Sequence, residues 1–90
     1  MKYYNIYSEI ATMDFPRNKK RMCYMTSAFA DSIKDAKHAV RTQIENHGYF
    51  VLRIGVQGTK TAIKICEDNK KQPIASFVPW EEIDKYFANA

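Results

Sequence analysis

The clearest pattern in the chain lies between Ala30 and Gly48, where apolar residues recur at Ile33, Ala36, Val40 and Ile44. Spacings of three, four and four lay a single stripe along one face of a helix. Ser32 or Asp31 can cap its start with a side-chain oxygen. Asp35 stands three residues after Ser32, where a capping box carries Glu or Gln. Asp31 and Asp35 also bring negative charge to the positive end of the helix dipole, and Gly48 can take the left-handed conformation that ends a helix. The outer face carries Lys34, Lys37, His38 and Arg41, with Arg41 and Glu45 an opposite pair one turn apart.

On the N-terminal side, Lys2 to Met13 alternates like a strand. Tyr4, Ile6, Ser8 and Ile10 point one way, and Tyr3, Asn5, Tyr7 and Glu9 form a polar, tyrosine-bearing outside. Asp14 to Arg21 is a loop broken by Pro16 and Asn18. Met22 to Phe29 is a second strand, completing a long-looped hairpin. Beyond Gly48, Tyr49 to Ile54 is β-branched and aromatic with Arg53 its only charge, which predicts a central strand. Residues 55–58 form a turn. Thr59 to Cys66 alternates Thr61, Ile63 and Ile65 against Lys60, Ala62, Lys64 and Cys66, as a strand would. Residues 67–72 are a polar turn, and Pro73 to Val78 is a last strand with its proline at the start. Pro79 then opens a closing helix, with Glu81 and Glu82 in its first turn and a stripe of Trp80, Ile83 and Phe87 that must pack on the sheet. The predicted architecture is an α+β fold: a mostly antiparallel five-stranded sheet with two helices on one face, in the order ββαβββα, as a single domain over residues 1–90.

Composition narrows the classes. A chain of 90 residues that is 46% hydrophobic supports one core. A net charge of +4 suits an acidic protein surface or nucleic acid, without the density of a DNA-coating protein. No apolar run approaches the roughly 18 residues of a membrane span, and the opening residues lack the apolar core of a secretory signal. The expected location is therefore cytoplasmic with no membrane partner. Cys23 and Cys66 are expected as reduced thiols rather than a disulfide.

No catalytic or metal-binding pattern is present in the sequence. His38 and His47 have no Ser or Cys at a spacing that suggests a nucleophile and its base. There is no C-x-x-C or H-x-x-x-H, and Gly55 and Gly58 lack the lysine and hydroxyl of a phosphate loop. The expectation is a non-enzymatic protein without a cofactor. The candidate contacts are Arg17, Lys19, Lys20 and Arg21 on the loop and Lys34, Lys37 and Arg41 on the helix, which can pair with acidic side chains or phosphates. Tyr3 and Tyr7 are candidate aromatic anchors, and with Arg53 they offer a stacking surface for a single strand. An exposed edge, on the first or last strand, would let two copies pair as a homodimer.

The order helix, three strands, helix in the second half resembles the double-stranded RNA-binding domain. That family opens its last helix on a lysine cluster where this chain reads PWEEIDK, so no binding residues carry over. The run from Tyr24 to Ile54, with a strand ending in Asp-Ser, an alanine-spaced helix, a glycine and an apolar strand, resembles short phage and mobile-element proteins. In size and layout the chain is similar to several anti-CRISPR proteins. That resemblance implies a phage-type inhibitor that docks on a host nucleoprotein complex and occludes it without catalysis. The expected partner is thus a protein or nucleoprotein complex. The alternative is a small DNA- or RNA-binding protein using the same basic loop and helix face.

Overall fold

The computed structural model describes residues 1–17, 19–70, 74–76 and 79–88. Among these residues seven elements follow one another: β1 (Lys2–Ala11), β2 (Arg21–Ala30), α1 (Ile33–Asn46), β3 (Phe50–Val56), α2 (Lys60–Asp68), β4 (Ile74–Ser76) and α3 (Trp80–Ala88). The sheet has the order β3-β1-β2-β4. β1 pairs antiparallel with β2 from Lys2 opposite Ala30 to Ala11 opposite Arg21. β3 pairs antiparallel with β1, with a register shift between Glu9 and Ile10. The three-residue β4 runs parallel to β2.

The architecture is α+β, but the expected five-stranded sheet with two helices is corrected, among the described residues, to three helices around a four-stranded sheet. The strand expected over Thr59 to Cys66 is helix α2. Thr59 caps it, its Oγ1 accepting from the Ala62 N–H at 3.3 Å, directly after Gly58 turns the chain at φ +89°. Ala62, Ile65 and Asn69, spaced three and four apart, are buried, whereas Ile63 is 52% exposed. The alternation in the sequence is also a helical stripe, and cap and turn select the helix. The meander and the helix-strand-strand-strand-helix order of the RNA-binding domain fall with it.

β3 lies at the edge of the sheet, not at its centre. Its run reads as apolar on both sides because α1 and α2 both pack beside it, while no described strand pairs its second hydrogen-bonding edge. The first strand, by contrast, is internal, so it offers no edge to a second copy. Gly55 and Val56 extend β3 into the expected turn, and Glu67 and Asp68 complete α2. β4 lies within the last expected strand, whose Pro73, Phe77 and Val78 are outside the described residues.

α1 forms as its spacing requires. Ser32 Oγ accepts from the Asp35 N–H at 3.1 Å, and Ala36, Val40 and Ile44 are the buried stripe. Gly48, at φ +88°, donates its N–H to the Glu45 carbonyl at 3.0 Å, and Tyr49 N–H reaches back to the Ile44 carbonyl at 3.3 Å. These bonds satisfy carbonyls that the helix end leaves over. The main core joins Ile6, Ile10, Met22 and Tyr24 of the sheet with the α1 stripe, Tyr49, and Ile83 and Phe87 of α3. α1 and α3 thus share one face of the sheet, as expected for the two foreseen helices. Burying each such aliphatic side chain contributes about 1.5–3 kcal/mol.

α2 covers part of the opposite face. There Gly55 lets the helix approach closely: a Cβ on it would lie 2.9 Å from the Ala62 backbone nitrogen. No described helix is long and apolar enough to cross a membrane.

Candidate functional site

The nine residues singled out as contacts do not form one surface. The structure sorts them into three places.

The first is a groove between α1 and β3. Ile33 and Ile54 form its floor, and Lys34, Lys37, His38 and Arg41 line it, enclosing an open volume of ≈570 Å³. The helical spacing of the four basic positions puts them along one side of α1, and the edge position of β3 leaves the groove uncovered on its outer side. Ile33 is 47% exposed, an apolar side chain kept at the surface at the first position of the helix. Among the described residues, neither Lys34, Lys37 nor Arg41 forms an ion pair, and the expected Arg41–Glu45 pair is not made. Their charge is directed at the groove instead of being compensated within the fold.

The second place is the loop between β1 and β2, at the end of the hairpin remote from the start of α1. Only part of its charge faces outward. Arg17 and Lys19 are exposed. Lys20 is half-buried: its ammonium donates to the Tyr86 carbonyl at 2.6 Å and lies 4.3 Å from the centre of the Tyr86 ring. Arg21 is the first residue of β2, its carbonyl accepting from the Tyr86 hydroxyl at 3.0 Å and its guanidinium lying 3.4 Å from Glu9. These two cations dock α3 and a buried carboxylate, which removes them from the contact set.

The third is the sheet face that α2 only partly covers. Tyr3 is 77% exposed and packs across the hairpin on Phe29 with ring centres 4.7 Å apart. Tyr7, four residues along the same strand face, is half-buried against α2 and lines a depression with Gln57, Gly58, Ala62, Ile63, Cys66 and Glu67. Tyr3 is available to a partner on this face. Tyr7 is part of the α2 contact, and both lie across the sheet from the basic groove.

Sequence reasoning missed the buried charge cluster that ties α2 down. Glu9, assigned to the outside by alternation, is 3% exposed. Arg53 donates to its two oxygens from Nε at 2.9 Å and Nη2 at 2.7 Å, and Asn69 Nδ2 donates at 2.9 Å. Arg53 Nη2 also reaches Asp68 at 2.9 Å. Burial pushes the Glu9 carboxyl up, but the hydrogen bonds from Arg53 and Asn69 and the charges of Arg53 and Arg21 outweigh it, so its net shift is downward. A carboxylate held charged in this way ties two layers together and is a poor proton donor at neutral pH. Arg53, imagined as a contact for a nucleic-acid strand, is committed to Glu9 and Asp68. One signal was available: a lone arginine in an apolar strand must find a carboxylate when it is covered.

His47 stacks on Trp80 at 4.0 Å between ring centres, while His38 lines the groove. Among the described residues no three His, Cys, Asp or Glu side chains gather as a metal site would require. Compared with known proteins, the chain matches no family model, no curated protein and no solved structure.

Proposed function

We propose that this chain is a non-enzymatic binding protein, and that the groove between α1 and β3 takes an extended acidic segment of a partner protein. One observation carries the reading: among the described residues, three cations without internal ion-pair partners border an apolar floor beside a strand edge that no other strand pairs. Apolar floor and charged rim are the anatomy of a protein contact, whereas a surface for phosphates alone has no use for the exposed Ile33 beside the half-buried Ile54. An extended segment can pair with β3 through its main chain while its acidic side chains meet Lys34, Lys37 and Arg41. The charges then speed encounter and set orientation, and the isoleucines supply affinity.

Within this reading, the similarity in size and layout to anti-CRISPR proteins supports a finer identity: a phage-type inhibitor that blocks a host nucleoprotein complex by occupying an acidic surface. The basic loop is reduced to Arg17 and Lys19 as a secondary contact.

The test is an amide chemical-shift titration with a peptide of alternating Glu and Val and, separately, with duplex and single-stranded DNA and RNA, at low and physiological salt. The reading expects the peptide to shift α1 and β3 resonances and to retain binding at physiological salt. If nucleic acid instead bound tightly, with affinity falling steeply as salt rises, and the peptide left the groove unshifted, the site would belong to phosphates.

A further inference from the structure

Cys23 and Cys66 lie 43 positions apart in sequence, yet the fold brings their sulfurs to 3.9 Å of each other. Cys23 sits in β2 on the face toward α2 and is buried. Cys66, in the last turns of α2, is half-buried. The side chain of Cys66 also lines the ≈310 Å³ depression formed with Tyr7, Gln57, Gly58, Ala62, Ile63 and Glu67. One thiol is therefore reachable from solvent through a pocket, and the other stands directly behind it. Reaching a disulfide bond requires the sulfurs to close by about 2 Å.

We infer that Cys66 and Cys23 form a thiol oxidation site, in which a small hydroperoxide enters the depression at Cys66 and the pair closes to a disulfide joining α2 to β2. The Cys66 thiolate attacks the peroxide oxygen. The O–O bond breaks, the leaving oxygen takes up a proton and departs as water or an alcohol, and Cys66 becomes a sulfenic acid. The Cys23 sulfur then attacks the Cys66 sulfur. The S–O bond breaks, and the hydroxyl leaves as water with the proton of the Cys23 thiol. Two thiols lose two electrons in all, and the peroxide gains them.

The order of events follows from access. Burial, then the neighbouring Cys66 and Glu9, push the Cys23 thiol up to about 12, which disfavours it as the first nucleophile. Its position suits the second step, in which it stands 3.9 Å from the Cys66 sulfur and gives up its proton to the departing hydroxyl. The consequence is mechanical: α2, otherwise held by its apolar stripe and the Glu9 cluster, becomes covalently fixed on the sheet.

The experiment treats the whole chain with hydrogen peroxide and follows intact mass, free thiols and a non-reducing peptide map. The expected product is a monomer lighter by two hydrogens, without free thiols, whose Cys23 and Cys66 peptides are linked and are released by a reducing agent. In Cys23→Ser, or Cys23→Ala should the serine disturb the core, oxidation stops at a Cys66 sulfenic acid that a dimedone probe captures. Cys23 in Cys66→Ser reacts at least roughly tenfold more slowly. Two results overturn the inference. One is wild-type protein that gains oxygen at either cysteine, or links only between chains, without the internal bridge. The other is Cys23 in the Cys66→Ser variant being captured as fast as Cys66 in the Cys23 variants.

Discussion

Replacing Glu9 with Gln keeps the shape of the side chain and removes its charge. In the wild type, three hydrogen bonds of 2.7–2.9 Å reach the two Glu9 oxygens, and a further guanidinium stands 3.4 Å away. A glutamine offers one acceptor, and its amide N–H groups face a guanidinium that can only donate. Removing one partner of a buried charge pair costs about 3–5 kcal/mol. Arg53 is 31% exposed and keeps Asp68 at 2.9 Å, so part of its charge stays compensated. The cost should therefore fall at the lower end, about 3 kcal/mol. With a urea dependence of about 1.5 kcal/mol per molar, the unfolding midpoint drops by about 2 M. Equilibrium urea unfolding of wild type, Glu9→Gln, Arg53→Met and the double variant measures it, and the cycle should return a coupling of about 2 kcal/mol. A Glu9→Gln loss below about 0.5 kcal/mol, the range of an ordinary surface change, would refute the account of how α2 is held.

The same carboxylate sets a pH dependence. Its folded-state value lies below its ordinary 4.5, so its contribution is complete above that value and is lost as pH falls through the depressed folded value. The stability gap between wild type and Glu9→Gln should shrink as unfolding is repeated at successively lower pH below 4.5. Ile65→Ala should cost about 2–5 kcal/mol as a buried position, while Ile63→Ala should cost less than about 0.5. Denaturation of the two variants checks this contrast, since a strand would put both side chains on one face. Gly55→Ala should destabilise by about 1–3 kcal/mol because its Cβ meets the α2 backbone, with the loss of amide protection greatest in α2. Ser32→Ala should cost about 1 kcal/mol by leaving the Asp35 N–H without its cap, read from the thermal midpoint.

The hairpin, α1 and the closing helix were legible because each has one reading: a long alternation, a stripe with cap and glycine stop, a proline start with acidic first turn. The α2 segment was not, since Ala62, Ile63, Ile65 and Cys66 satisfy both periods over so short a run. Thr59 after Gly58 was the local clue that separates them. Misplacing α2 also hid the second layer, and with it the burial of Glu9 and the meeting of Cys23 with Cys66, because a polar residue on an uncovered face needs no partner. The basic helix face was legible as charge, but its apolar floor was not: Ile33 belongs to the α1 pattern and Ile54 to a strand expected in the middle of the sheet. The loop misled through composition, since four neighbouring cations look equivalent until Tyr86 and Glu9 are seen to engage Lys20 and Arg21.

The most direct test of the docking groove is calorimetric titration of the Glu–Val peptide into wild type, into Lys34→Glu/Lys37→Glu/Arg41→Glu and into Arg17→Glu/Lys19→Glu. The account predicts binding to the wild type, at least tenfold weaker binding to the helix variant, about 1.4 kcal/mol or more, and a loop variant close to the wild type. Binding that survives reversal of the helix charges but disappears with the loop charges would contradict it.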